Sequence, residues 1–177
     1  MRFILLLVLG LALSACGFHL RGLVDLPFET LYVESGGNAA LDSELNRAVR
    51  GGSKTRLVSN PAEAEAILQI LGSSQEKRIL SLSGAGRVRE YQLLYRISFR
   101  LIDRQKRELI PSQQIELKRD MTYDDSQMLA KQNEEDLLYR DMRSDAVQQI
   151  MRRVSVAKAA ANDDAAPANE TPAAVKP

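Results

Sequence analysis

The chain has 177 residues, of which 45% are hydrophobic and 27% charged, and its formal net charge is +1 at pH 7. This length and balance suit one ordinary globular domain. The near-zero charge argues against general nucleic-acid binding, so an anionic ligand would have to be met by a local basic patch.

The N-terminus has the pattern of a secretory signal. Arg2 precedes an apolar run over 3–13, which is short of the about 20 apolar residues that cross a bilayer as a helix. The run leads into Leu13-Ser14-Ala15-Cys16-Gly17, a string typical of a lipobox, in which small residues enter the peptidase and the thiol accepts a diacylglyceryl group. We therefore predict a signal peptide over 1–15 and cleavage before Cys16.

Cys16 is the only cysteine of the chain, so it has no disulfide partner within it. An ordinary signal peptide with an accidental cysteine is the alternative. The lipobox predicts diacylglyceryl and N-acyl chains on Cys16, and two or more chains hold a protein stably on a membrane. Gly17 follows, where an aspartate commonly retains lipoproteins in the inner membrane of enteric bacteria. The anchor is therefore expected on the periplasmic side of the outer membrane.

Alternation and turn signals predict the elements in chain order. Strands are expected over 30–34, 55–59, 64–83, 87–103 and 109–122, and helices over 40–50 and 126–154, the second capped by Ser126. Period-two alternation is clearest over 87–103. A single domain over 16–156 would be an α+β two-layer sandwich, with a mainly antiparallel four-stranded sheet and two helices packed on one face. The composition of 157–177 predicts a disordered tail.

Catalytic groups are scarce. The only histidine, His19, lies three positions from the anchor and is a poor candidate for a catalytic triad, which needs a positioned imidazole. A zinc site needs several cysteine or histidine ligands, which the chain lacks. We expect no cofactor, no metal and no enzymatic activity. A periplasmic hydrolase using the acidic runs Asp124-Asp125 and Glu134-Glu135-Asp136 is an alternative, but charge at a helix start and a solvated helix face explain them more simply.

Basic residues are the stronger candidates for a site. Two of them precede the Gly84-Ala85-Gly86 turn, two follow it, and three come from the next strand and the following helix: Lys77, Arg78, Arg87, Arg89, Lys118, Arg119 and Lys131. Lysine and arginine commonly protect strand edges from aggregation, which is the simpler interpretation. The alternative is a site for an anionic lipid head group, because charge-assisted hydrogen bonds to phosphate are strong.

Several motifs together resemble one family. The start Cys16-Gly17-Phe18-His19-Leu20-Arg21-Gly22 is similar to that of the lipopolysaccharide-assembly lipoproteins called LptE. Glu90-Tyr91-Gln92, Leu129-Ala130-Lys131 with Asn133-Glu134, and the helix end over 146–153 follow in the family's order.

The resemblance implies a non-enzymatic outer-membrane lipoprotein that plugs the β-barrel protein LptD, helps it to assemble, and helps to deliver lipopolysaccharide to the outer leaflet. It also implies lipopolysaccharide binding by basic residues. Lys131 falls on the family's lysine, and Arg87 or Arg89 would replace an arginine that is displaced here. A generic periplasm-facing lipoprotein module with no barrel partner is the alternative.

Overall fold

The computed structural model describes residues 26–157, so Cys16, the predicted signal peptide and nearly all of the predicted tail lie outside the described residues. Within this range the chain forms, in order, β1 Thr30–Glu34, α1 Ala39–Gly52, β2 Arg56–Leu57, a 3-10 helix Pro61–Glu63, β3 Ala66–Leu82, β4 Val88–Asp103, β5 Glu108–Thr122, a 3-10 helix Asp125–Gln127 and α2 Met128–Ser155.

The strands of the described part form one sheet in the order β2-β1-β3-β4-β5. β1 pairs in parallel with β2 and β3, whereas β4 is antiparallel to both of its neighbours. The predicted α+β sandwich is therefore confirmed, but the predicted four-stranded sheet gains a fifth strand. The reason is that the chain returns from α1 to the sheet edge, where Arg56 and Leu57 pair with β1 before Pro61 diverts the chain.

The core lies between the sheet and the two helices. Alternation along β4 buries Leu93, Tyr95, Ile97, Phe99 and Leu101, as the sequence predicts. The facing stripe of α2 repeats every three or four residues and consists of Tyr139, Met142, Ala146, Val147, Ile150, Met151 and Val154. Each valine, leucine, isoleucine, phenylalanine or methionine side chain among them contributes about 1.5–3 kcal/mol when removed from water.

The helix ends differ from the predicted ones. In α1 the Asn38 side chain accepts the N–H of Leu41 at 3.1 Å, and Gly51 and Gly52 remain helical instead of stopping the helix. α1 ends at Gly52, and the N–H and hydroxyl of the following Ser53 both donate to the Val49 carbonyl. Ser126 does not cap α2, because a 3-10 turn precedes that helix.

The hairpin of β3 and β4 is the longest feature of the sheet. Its pairs run from Ala66 opposite Asp103 to Leu82 opposite Val88, with register shifts between Ile79 and Ser81 and elsewhere. β1 ends at Glu34, opposite Gln69, so the outer half of β3 has β4 as its only strand neighbour in the described part. We call the hairpin turn over 83–87 and its surroundings the tip.

The opposite end of the sheet, here called the base, receives the chain from the N-terminal side. Leu26 and Phe28 are buried there, and the Thr55 hydroxyl donates to the Phe28 carbonyl at 2.8 Å. β4 has 16 residues, so base and tip are separated by about 50 Å of extended chain. The N-terminal connection and the tip therefore lie at opposite ends of the domain.

We expect Phe99→Ala to lower the free energy of unfolding by about 3–5 kcal/mol. The side chain of Phe99 is fully buried on the helix-covered face of β4, and its removal leaves a cavity. Urea denaturation followed by circular dichroism measures the change. Leu137→Ala is the control, since half of this side chain is exposed, and it should change the value by less than about 0.5 kcal/mol. Equal losses in both variants would contradict the assigned core.

Candidate functional site

The tip is a tight turn that is held by one serine. The Ser83 N–H donates to the Arg87 carbonyl at 2.7 Å, the Gly86 N–H donates to the Ser83 carbonyl, and the Ser83 hydroxyl accepts the Arg87 N–H at 3.1 Å. Gly86 has a φ of 76°, a conformation that glycine adopts without a steric penalty. The turn therefore fixes where Arg87 leaves the backbone.

Arg87 and Arg89 are exposed, and within residues 26–157 neither side chain has an ion pair or a hydrogen-bond partner. The Arg89 carbonyl accepts the N–H of Tyr123 at 2.7 Å, which ties the start of β4 to the end of β5. The backbone of this site is thus ordered, while its two guanidinium groups keep all their donors for solvent or a ligand.

Lys131 lies at the same end of the molecule. Its ammonium donates to the Thr122 hydroxyl at 3.1 Å and pairs with Glu134 at 2.8 Å, and 15% of the side chain is exposed. Thr122 pairs with Glu90 in the sheet, next to Arg89. The structure therefore brings together all three predicted binding residues, with Arg87 and Arg89 free and Lys131 already engaged.

The other basic candidates lie farther from the tip and are neutralised. Lys118 and Arg119 stand opposite Leu94 and Leu93, well down β4, and pair with Glu116 and Asp145 respectively. Lys77 and Arg78 stand at the same level on β3, and both have carboxylate partners. Of the seven cations that the sequence predicts to lie together, three therefore lie at the tip.

An aromatic cluster, which the sequence did not reveal, joins the hairpin to the start of α2. The Lys77 ammonium lies 4.2 Å from the centre of the Tyr91 ring and 2.5 Å from a Glu135 oxygen. The Tyr123 ring meets that of Tyr91 edge to face at 5.1 Å. These side chains come from β3, β4, the β5 exit and α2, so only their folded positions show the cluster.

One turn farther along α2, the Tyr139 hydroxyl donates to the Glu76 carbonyl at 2.9 Å. Burial raises the pKa of this phenol, so it stays protonated and able to donate. The contacts of Glu135 and Tyr139 hold α2 against the outer half of β3, which has no second strand neighbour in the described part.

The sheet face that carries no helix, here called the open face, is covered by a ladder of ion pairs. Arg96 contacts Glu76 at 2.8 Å on one side and Glu116 at 2.5 Å on the other. Arg78 and Lys118 extend the ladder at its two ends. The open face is thus polar, and its charges largely cancel.

Hydrogen bonds from Arg78 and then Arg96 lower the pKa of Glu76 to about 2. Hydrogen bonds from Lys118 and Arg96 also lower the pKa of Glu116. These partly exposed pairs are screened by solvent, so each contributes modestly to stability.

The acidic runs supply partners to neighbouring side chains and backbone groups. Asp124 accepts the N–H and the hydroxyl of Ser126 at 2.9 and 2.7 Å, and these bonds lower its pKa. Glu134 and Glu135 serve as partners of Lys131 and Lys77. Over residues 26–157 no cluster of three metal-binding side chains is present, and no helix there is long and apolar enough to cross a membrane.

The ion-pair ladder predicts acid-sensitive stability. A carboxyl group with a lowered pKa stabilises the fold above its unfolded pKa, and this contribution is lost as the pH falls toward its folded pKa. We expect the free energy of unfolding to drop between pH 4.5 and about 2 in the wild type, and to drop less in Glu76→Gln. Urea titrations at a series of pH values measure this. The control is Glu63→Gln, an exposed carboxylate without an ion pair in the described part, which should retain the wild-type slope.

Comparison with known sequences identifies relatives along most of the chain. The family model described as "LptE: Lipopolysaccharide-assembly" matches residues 28–154. The LPS-assembly lipoprotein LptE of Yersinia enterocolitica is 33% identical over 171 residues, which cover 89% of this chain and 78% of that protein. The protein of the same name from Pectobacterium atrosepticum is 31% identical and covers 84% of this chain and 83% of its own length.

Solved structures have the same fold. Lipoprotein B from Nitrosomonas europaea superposes with a TM-score of 0.72 at 43% identity, covering 84% of this chain and 97% of that one. The rare lipoprotein B from Shewanella oneidensis gives a TM-score of 0.61 at 28% identity, covering 76% of this chain and 98% of that one. Sequence and fold agree along the whole described domain, and the chain belongs to the LptE family of lipopolysaccharide-assembly lipoproteins.

Proposed function

We propose that this chain is an outer-membrane lipoprotein that plugs the LptD β-barrel, assists its assembly, and binds lipopolysaccharide on the way to the outer leaflet. Cleavage of residues 1–15 and lipidation of Cys16 provide the anchor. The protein acts by binding and not by catalysis. The observation that carries the proposal is the pair of free guanidinium groups at Arg87 and Arg89 on a chain of the LptE family.

The binding step follows from the chemistry of the tip. Lipopolysaccharide carries phosphate groups, and arginine can donate two parallel hydrogen bonds to a phosphate. Arg87 and Arg89 have no partner within the described residues, so binding a phosphate does not require an ion pair to be broken. Lys131 uses two donors for Thr122 and Glu134, which leaves the third ammonium hydrogen for a phosphate oxygen.

The shape of the domain supports the plug. The N-terminal connection enters at the base, and the tip lies about 50 Å away, which exceeds the about 40–45 Å thickness of a bilayer with its head groups. A domain anchored at its base can therefore reach through a barrel to the level of the outer leaflet. The polar open face suits the polar lumen of a large barrel.

We expect charge reversal of Arg87, Arg89 and Lys131 to glutamate to weaken binding of purified lipopolysaccharide by at least on the order of 1,000-fold, because each of the three lost charged hydrogen bonds contributes about 1.5–3 kcal/mol. Binding is measured by titration at fixed ionic strength, and folding by thermal melting. Arg50, Arg140 and Arg152 changed to glutamate form the matched control, with the same change of charge on exposed arginines away from the tip. Equal binding by both triple variants would leave strand-edge protection as the account of the tip cations.

The barrel partner is tested in the cell envelope. We expect the full-length lipoprotein at its normal expression level to co-purify, after detergent extraction, with a large outer-membrane β-barrel identified as LptD by mass spectrometry. Cys16→Ser should lower the recovery of that complex from the outer membrane without changing the melting of the purified domain, since the anchor is separate from the core. Recovery of the wild type as a free monomer would favour a lipoprotein module without a barrel partner.

A further inference from the structure

Exposed apolar side chains are concentrated at the tip. In the part of the chain that the structure describes, eight large hydrophobic residues are exposed, and five of them belong to the outer end of the hairpin or the first turn of α2: Ile79, Leu80, Leu82, Met128 and Leu129. Single exposed apolar residues are normal, whereas a cluster marks a binding surface. We call these five residues the tip patch.

The aromatic cluster connects the two halves of the tip patch. Ile79 stands directly opposite Tyr91 in the sheet, and Tyr91 meets the ring of Tyr123 at 5.1 Å. Tyr123 leads through the 3-10 turn into α2, which begins at Met128. Since directly opposed side chains in antiparallel strands lie on one face, an apolar and aromatic surface extends from Ile79 to the start of α2.

The free cations border this surface. Arg89 lies two residues before Tyr91, at the register shift between Glu90 and Val88, and Arg87 leaves the turn two residues earlier. Met128 and Leu129 are 63% and 78% exposed, so the first turn of α2 has apolar side chains where a solvated helix start would have polar ones. The tip therefore combines an apolar surface with two unpaired positive charges.

We infer that the tip binds the acylated and phosphorylated end of lipopolysaccharide, with acyl chains on the tip patch and a phosphate at Arg87 and Arg89. This inference rests on the proposed function and specifies which part of the ligand is recognised. The five side chains of the patch are hydrophobic and match acyl chains better than a sugar chain. A second copy of this tip would bring four guanidinium groups, two from each copy, close to one another, which opposes self-association.

The inner wall of a barrel is also a poor match for the tip patch, because the lumen of a large barrel is polar. Acyl chains lose water when they contact the tip patch, and each apolar side chain covered in this way contributes to affinity. Lys77 and Glu135 neutralise each other beneath the aromatic rings, so they hold the surface in place without adding charge to it.

The test compares two ligands, a phosphorylated glucosamine disaccharide that carries its acyl chains and the same disaccharide with the chains removed. Both are titrated against the lipoprotein at a fixed concentration of nonionic detergent. The wild type should bind the acylated form at least about tenfold more tightly. The tip variant Ile79→Thr, Met128→Gln, Leu129→Gln should lose this preference and keep its affinity for the deacylated form.

The matched control removes three exposed apolar side chains elsewhere: Leu71→Thr, Leu137→Gln and Val156→Gln. It should retain the wild-type preference, and thermal melting should show all variants folded. A preference unchanged in the tip variant, or lost equally in the control, would overturn the inference. Equal wild-type binding of both ligands would overturn the inference alone, whereas binding of neither would overturn the proposed function itself.

Discussion

The packing of α2 on the inner face of β4 is the constraint on which the remaining structure depends. Tyr95, Ile97 and Phe99 are nearly or fully buried, and the apolar stripe of the long helix α2 covers this strip of sheet. Because side chains alternate along a strand, burying this face places Arg96 and its neighbours on the open face, where they need carboxylate partners. The same packing makes α2 begin at the tip, so its first turns lie beside the hairpin.

The tip differs from the rest of the sheet surface in that its arginines have no ion-pair partner among the described residues. Elsewhere on β3 to β5, cations have partners, as Arg96 has Glu76 and Arg119 has Asp145. At the tip Arg87 has no such partner among the described residues, whereas the fold provides one for Arg96 and Arg119. Binding of an anion there requires no exchange of an existing ion pair, which is the arrangement expected of a site kept available for a ligand.

Local patterns account for what was predictable from the sequence. Period-two alternation identifies β4, and helical spacing identifies the stripe of α2. β2 was predicted too long, because two backbone pairs leave almost no pattern. The cluster of Lys77, Tyr91, Tyr123 and Glu135 was missed, because its members are brought together by the hairpin register and the angle of α2. Lys131 was predicted as a contact, whereas its pairing with Glu134 depends on side-chain geometry that a motif does not contain.

The parallel pairing of β1 with β3 has a consequence for the order of folding. β3, β4 and β5 follow one another in the chain and pair as hairpins, whose first contacts at the turns are local and form quickly. β1 comes earlier in the chain, yet its partner Ala66 lies 35 positions after Leu31, so a loop that includes all of α1 must close before the pair can form. We therefore expect β1 to join the sheet after the hairpins have begun to form. Until then its backbone groups lack their strand partners, and an unpaired strand edge favours aggregation.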